Sequence, residues 1–535
     1  MGVYAQDRWQ LRHDLTLNYG LRWDVLPAWR EKYNQFQTAV LGQQSVVYPD
    51  APAGLVFPGD PGIPSTLAPT RYTNFAPRVG LAWTPSTSGG ILGKLLGGPQ
   101  KTSIRAGYGV YYTAIEGLSA GIMSANPPYG MDFDSFGPPL FETPFVIAAT
   151  GEDVGQRFPS PIATPGASAE NPNRSVDWSM YLPIAHMPGY HPRNVTPYTE
   201  NYMLSVQREI GRNTALSLSY VGAQAHHLLV ITSANPGDAA LCLSLSRPED
   251  VMPGTATCGP FGENNTYYAR DGRVIRGTRG PFSSDFGGFS FQRTIANSSY
   301  NSFEASLRHS SGRLEFLVGY TYGKSLDQSS SLSEAVNPFN QRLNRALSAF
   351  DLRHNLVGSY NWRVPVETLL RRNNRLTSGW TLSGITRVSS GLPVTLYNNT
   401  DTSLLGTIPN GINSDGLDTP DYTPGNLAIN TDPRNGRSAF NTSLFGMPAA
   451  GTLGRAARRF FYGPGMINFD IAVLKSVRFS DTRTLDLRFE AFNVFNHAQF
   501  SGAAAVNGNI SSPGFGQVIA ATDPRVIQVA AKFHF

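Results

Sequence analysis

The sequence predicts an all-β fold: a transmembrane antiparallel β-barrel wall of about thirteen strands, with long loops on one side. Three observations carry that expectation. Apolar and polar residues alternate with period two over segments mostly ten or more residues long. Membrane-crossing strands need about 9–11 residues, whereas strands of soluble sheets average about 5–6. The connections alternate between short turns and long Pro/Gly/Asn-rich stretches, as they do between the periplasmic and extracellular ends of a barrel. Only 15% of the 535 residues are charged, against roughly 25% in soluble domains, while aromatics reach 11%.

The alternation begins at the first residues. Leu15, Leu17, Tyr19, Leu21 and Trp23 oppose Thr16, Asn18, Arg22 and Asp24, and Gly2–Trp9 reads as the strand before them. Asp7, Arg8, Arg12 and Asp14 interrupt this region, so it has neither the apolar run nor the cleavage site of a signal peptide. Asp7 falls on the same side as Trp9, a position the alternation leaves unexplained. Ile104, Ala106, Tyr108, Val110 and Tyr112 make another apolar face, as do Leu314, Phe316, Val318, Tyr320 and Tyr322. Near the end, Ile467, Phe469, Ile471 and Val473 oppose Asn468, Asp470 and Ala472. Leu485, Leu487, Phe489 and Ala491 then oppose Asp486, Arg488 and Glu490, which makes Leu485, Leu487 and Phe489 the candidate lipid-facing residues. The last strand sets Ile527, Val529, Ala531, Phe533 and Phe535 against Gln528, Lys532 and His534. Trp9, Trp23, Trp83, Trp362 and Trp380 sit near strand ends, where an interfacial girdle would hold them. Soluble sandwiches alternate too, so strand length and aromatic placement decide for lipid. A run of 18 apolar residues is absent from the sequence, which argues against a transmembrane helix.

Short turns are expected at Arg12-His13, Gly211-Arg212, Ser311-Gly312 and Ser480–Arg483. Long segments occupy roughly 26–72, 113–197, 223–298, 398–465 and a shorter 326–350. They mark the outside, because compact soluble domains seldom carry several such loops. With Phe535 at the periplasmic end, strands must alternate in direction back from it, so strand 2–11 runs inward from the outer surface. Single-chain bacterial barrels have even strand numbers. An odd count therefore implies a chain that starts within a barrel, residues 1–535 forming its C-terminal portion.

The net charge of +5 is spread along the chain without a Lys/Arg cluster, which speaks against a nucleic-acid partner. The two cysteines, Cys242 and Cys258, share one loop-like stretch. A local disulfide would suit an oxidising compartment and add roughly 3 kcal/mol through loop closure; the alternative is two unpaired thiols. His186 and His191, and the pair His226-His227, lack further convergent ligands and read as loop histidines rather than a metal site. Asp415, Asp418 and Asp421 around Gly416 offer oxygen ligands to calcium but depart from the EF-hand pattern, so a solvated turn is preferred. Gly89–Gly98 (GGILGKLLGG) has Leu95 where a phosphate loop needs Ser or Thr after its Lys94, and reads as a periplasmic turn. Neither a nucleophile–base constellation nor a cofactor site is evident, so an enzyme is not expected.

Several segments are specific in combination: GVYAQDRW at Gly2–Trp9, LTLNYGLRWD at Leu15–Asp24, NFAPRVGLAW at Asn74–Trp83 and SIRAGYGVYY at Ser103–Tyr112. They are followed by NTALSLSYVG at Asn213–Gly222, FLVGYTYGKSLD at Phe316–Asp327, FDLRHNLVGSYNW at Phe350–Trp362 and GWTLSGITRVSSGLPVTL at Gly379–Leu396. FEAFNVFNHAQF and a terminal VAAKFHF complete the series. This ordered set resembles the TonB-dependent outer-membrane receptors of the Oar-like group. The resemblance implies a 22-stranded barrel preceded by a periplasmic plug, of which this chain would supply about thirteen strands and no plug. It also implies uptake, or export, of a large substrate with energy from the inner-membrane TonB complex, reached only through the missing N-terminal part. Ile527, Phe533 and Phe535 resemble the C-terminal signal read by the barrel-assembly machinery, and outer-membrane lipid is the expected surroundings. A non-transporting structural or adhesion protein that displays its loops is the alternative; a soluble β-rich enzyme or lectin is a weaker third.

Overall fold

The computed structural model describes residues 1–86, 89–122, 126–130, 141–146, 151–153, 166–184, 187–407, 418–430, 432–500, 502 and 504–535. Its frame is one antiparallel sheet of thirteen long strands. These are β1 (Gly2–Arg12), β2 (Leu15–Asp24), β3 (Phe75–Trp83), β4 (Thr102–Tyr112), β5 (Tyr198–Gly211), β6 (Thr214–Ser233) and β7 (Phe289–Ser310). They continue with β8 (Leu314–Asp327), β9 (His354–Val364), β10 (Trp380–Ser389), β11 (Met466–Arg478), β12 (Thr484–Phe492) and β13 (Val526–His534). Each pairs with its neighbours in chain order, so β1 and β13 are the edges. Two short strands extend the margin: Met187–Tyr190 pairs parallel with β7, and Ala346–Leu347 pairs with β8.

The registers turn the local alternation into two continuous faces. Trp9, Leu17, Leu81, Ala106, Leu204, Tyr220, Phe303 and Tyr322 lie side by side across β1 to β8. Leu314, Trp362, Leu382, Val473, Phe489 and Val529 continue the apolar face from β8 to β13. The opposite face carries Arg8, Asn18, Gly80, Gly107, Met203, Val221 and Ser302 in one row, and Asn361, Ser383, Ala472, Glu490 and Gln528 in another. A slip of one residue in any ladder would send apolar side chains to the polar side, so burial in lipid specifies the pairing. Apolar residues stay uncovered along the first face, including Leu204 at 50% and Val529 at 76% exposure, which suits hydrocarbon and not water.

Several polar groups on the apolar face have partners. The Tyr19 hydroxyl donates to Asp7 Oδ2 at 3.3 Å, and the hydroxyls of Tyr202 and Tyr220 both donate to Asn301 Oδ1, at 2.9 and 2.7 Å. Lys475 bends to the sheet end, where its ammonium lies 5.1 Å from the Trp380 ring centroid and donates to the Ser378 carbonyl. The indole N–H groups of Trp83 and Trp380 donate to Asp14 and the Leu376 carbonyl at one end of the sheet, and that of Trp23 to the Tyr72 carbonyl at the other. Amphipathic rings thus mark both rims.

Short and long connections alternate along the whole sheet. Residues 13–14, 212–213, 311–313 and 479–483 are tight turns. The connection 84–101 holds a short helix at Gly90–Leu96, where the sequence reading had only a turn, and 365–379 holds another at Val366–Leu369. Six long loops lie at the opposite end: L1 (25–74), L2 (113–197), L3 (234–288), L4 (328–353), L5 (390–465) and L6 (493–525). Two of these differ from expectation. The expected segment 223–298 shrinks because β6 and β7 run for 20 and 22 residues, well past a membrane's thickness. Register shifts near Ala296 and a left-handed His227 (φ 58°) break the period-two pattern there, so alternation ends in the sequence before pairing ends in space. L6 was not anticipated as a long loop.

The best-packed cores lie in these loops rather than in the sheet. L1, L2 and L3 share one built on Tyr48, Leu55, Phe57, Trp178, Ile184 and Phe286. L5 and L6 share another through Leu396, Phe440, Phe461 and Val506. The loops therefore form a folded crown on one rim.

Candidate functional site: polar sheet face and loop crown

A groove of about 900 Å³ opens on the polar face of β1 to β6, and one of about 520 Å³ on the polar face of β7 to β12. The polar side is therefore the hollow one, as a hydrated lumen requires. Its charge is uneven. Across β1–β4 it bears Arg8, Arg22, Arg78 and Arg105 against Asp24, which Arg22 Nε grips at 2.8 and 2.9 Å. Across β11 and β12 the signs are mixed, with Asp470, Asp486, Arg488 and Glu490; Arg488 and Glu490 pair at 2.6 Å.

Two buried polar clusters hold the crown together. In the first, Asp327 and Glu334 face Arg458 and Arg459 from L5. Arg458 has no side-chain exposure; it donates to the carboxylate of Asp327 and, at 2.9 Å, to the Gln328 carbonyl, with its Nε 3.6 Å from Glu334. Arg459 forks onto both oxygens of Glu334 and donates to Thr395 Oγ1 at 2.8 Å. Burial alone would raise the Glu334 carboxyl; hydrogen bonding and charge from Arg459, then Arg458, outweigh it and hold it below its ordinary value.

The second cluster ties L3 to L5. Glu263 is 2% exposed and lies against Asp401, with Arg279 Nη2 at 3.7 Å. The Asp401 carboxylate accepts the backbone N–H groups of Phe261 and Gly406, each at 2.9 Å, so Glu263 is the member that carries the proton. Burial, reinforced by Asp401, pushes the Glu263 carboxyl up to about 8. Gly406 permits the approach: its φ of +69° suits glycine, and a Cβ there would stand 2.7 Å from Glu263 Oε2. Asp418, also buried, is raised by desolvation and accepts Ser403 N at 3.0 Å. A carboxyl whose folded value exceeds its unfolded one stabilises most below the unfolded value, here 4.5, and loses that contribution as pH climbs towards about 8. Hydrogen-exchange protection of 261–280 and 401–407, corrected for the intrinsic rate at each pH, is expected to fall between pH 5 and 8. Glu263→Gln should flatten that profile; an unchanged slope in the variant would disprove the assignment.

Cys242, in the short helix Ala239–Leu243, is bonded to Cys258, with Cα atoms 5.3 Å apart and a sequence separation of 16. The pair packs with Leu245, Val251, Tyr267 and Leu404 in a small core of its own. Leu485, Leu487 and Phe489 share the apolar face of β12, opposite Phe533, Ala531 and Val529 of β13. Ile527 and Phe533 lie on that same face of the edge strand, and Phe535, just past its end, stacks on Phe533 at 6.2 Å between centroids.

His226 and His227 belong to strand β6 and not to a loop; His226 Nδ1 is 3.0 Å from Asn297 Oδ1. His191 accepts Arg193 N at 3.2 Å, and burial with the charges of Arg293 and Arg193 pushes it down to about 4, leaving it neutral. Asp421 receives Arg455 Nε at 3.1 Å, away from the Asp418 cluster. His186 and Asp415 lie outside the described residues. Among the described residues, no group of three or more His, Cys, Asp or Glu converges in a way that could hold a metal ion. Sequence reading missed both crown clusters; the only local signal was the Arg458-Arg459 pair amid Phe460 and Phe461, a charge doublet in an apolar context.

A family model described as an outer membrane beta barrel domain matches residues 1–528. Among solved structures, the outer membrane transporter YddB from Escherichia coli is similar at 12% identity over 99% of this chain and 44% of its own length, with a TM-score of 0.43. The ferripyoverdine receptor of the outer membrane of Pseudomonas aeruginosa, bound to ferripyoverdine, is similar at 12% identity over 100% and 38%, with a TM-score of 0.39. The siderophore receptor PirA from Acinetobacter baumannii is similar at 10% identity over 100% and 45%, with a TM-score of 0.39. The chain spans less than half the length of each of these structures. A comparison with curated proteins gives no match.

Proposed function

We propose a transport role for this protein, which belongs to the outer membrane β-barrel family and resides in the bacterial outer membrane. In this reading it forms barrel wall and loop crown of a TonB-dependent receptor of the Oar-like group, moving a large substrate across the membrane by uptake or export. The observation that supports it most is a hollow polar face beneath a folded crown: one surface to meet a substrate, the other to pass it. Energy would come from the inner-membrane TonB complex acting through a plug domain. In lipid, the free edges of β1 and β13 have to be paired, because hydrocarbon cannot satisfy their backbone groups. A closed barrel in which both edges are paired is part of this reading. Ile527, Phe533 and Phe535 would serve as the signal to the barrel-assembly machinery.

The test compares cells carrying the intact locus, a deletion of it, or an inactivated TonB complex. Transport predicts that one or more large solutes disappear from, or appear in, the medium only when both locus and TonB complex are active. Surface attachment that survives loss of the TonB complex, with no solute moved, would favour the adhesive alternative.

A further inference from the structure

Gly80 on β3 and Gly107 on β4 are direct cross-strand partners on the polar face. Glycine weakens a strand interior, and within sheets it often marks the close approach of a ligand or another backbone. Neither residue is required by its own surroundings. A Cβ on Gly80 would find its nearest atom, the Ala106 carbonyl oxygen, at 3.9 Å; one on Gly107 would meet Met203 Cγ at 3.6 Å, an ordinary contact. Gly319 on β8 and Gly358 on β9 are as open, but neither has a glycine partner across its ladders. Gly384, on the apolar face, is overlain by the Tyr360 ring, whose Cζ a Cβ would approach to 2.7 Å. The Gly80–Gly107 floor has no such cover, and it lies in the groove of about 900 Å³.

The rim of that floor is cationic and aromatic. Arg78, two residues before Gly80 on the same face, holds its guanidinium 4.3 Å from the Tyr111 ring centroid. Stacking fixes the plane of the fork and leaves its N–H edge free to donate. Arg8 stands two strands away in the row of Asn18 and Gly80. Among the described residues neither Arg8 nor Arg78 has a salt-bridge partner, whereas Arg22 is committed to Asp24. A planar fork over a flat backbone floor matches a carboxylate in two parallel hydrogen bonds.

We propose that the Gly80–Gly107 floor is a binding site for a flat-bodied carboxylate, held by Arg78 and Arg8 and backed by Tyr111. This deepens the transport reading, since it rests on the polar face being a lumen, and it names a ligand class for that lumen. Arg78 orients the carboxylate, Arg8 adds charge from the side, and the glycine pair lets a planar body lie against the sheet.

The probe is 2-naphthoate, with neutral 2-naphthamide as its control, followed by fluorescence anisotropy on the protein purified from outer membranes of cells carrying the intact locus. Naphthoate is expected to bind at least tenfold more tightly than the amide. Arg78→Gln and Gly107→Val should each weaken it at least tenfold, while Arg363→Gln, on the polar face of the distant β9, should leave it unchanged. Valine suits a strand, so the floor variant should still insert; its folded state is read from heat-modifiable gel mobility. Equal affinity for acid and amide, absence of naphthoate binding, or full affinity in a folded Gly107→Val protein would overturn the proposal. Should a variant not fold, the acid–amide comparison on the parent protein decides alone. Recovery of the parent outside the membrane fraction would count instead against the lumen reading.

Discussion

Phe489→Arg is expected to prevent stable membrane assembly, while Arg488→Phe, one residue away, leaves most of it intact. Phe489 lies between Val473 of β11 and Val529 of β13 on the apolar face, in the middle part of its strand and 45% exposed. An arginine facing lipid near the midplane costs roughly 2–4 kcal/mol, a large fraction of the stability of a typical fold. Arg488 points to the hollow side and pairs with Glu490 at 2.6 Å. Its loss costs a partly exposed ion pair, which is worth about 0–1 kcal/mol. The readout is the fraction of protein that reaches the outer membrane in heat-modifiable form. Equal tolerance of the two changes would contradict the assignment of faces along the whole sheet, because the registers link every strand to this one.

Arg458→Met should loosen the crown without disturbing the sheet. The substitution keeps much of the volume but leaves the Asp327 carboxylate buried, with only the Ser330 hydroxyl, among the described residues, still donating to it at 2.6 Å. Removing one partner from a buried ion pair typically costs about 3–5 kcal/mol, because the remaining charge cannot recover its hydration. Trypsin should then cut L4 and L5 at exposed arginines such as Arg342 and Arg455 much faster than in the parent, while strand segments remain protected. Replacing Asp327 by Asn in the same protein should recover part of the loss, since no charge is then stranded. Unchanged resistance of both loops in Arg458→Met would show that apolar packing alone holds the crown. The two predictions separate sheet from crown: one acts through lipid, the other through a water-excluded cluster above it.

Much of the sheet was legible from local pattern. The strands from Leu15–Asp24 to Val526–His534 appear where alternation places them, and Leu485, Leu487 and Phe489 of β12 share one face. The upper parts of β6 and β7 were not legible, because bulges and a left-handed histidine interrupt the period that sequence reading depends on. His226 and His227 were misread as loop residues for that reason. The crown was less legible still. Glu263 and Asp401 are 138 positions apart by number, and Asp327 and Arg458 are separated by 131. Nothing periodic marks residues whose partner arrives from another loop.

The sequence by itself determined the class of wall, which residues of a strand share its apolar face and the end that bears the loops. Those properties follow from a period of two and from the solvent each face must meet, both of which are local. Only the tertiary structure decided which loops share a core, which carboxyl keeps a proton, and that two glycines on separate strands lie side by side in one groove. These depend on strand register and on loops docking across long stretches of chain. Burial, charge pairing and empty space exist only once distant residues have been brought together.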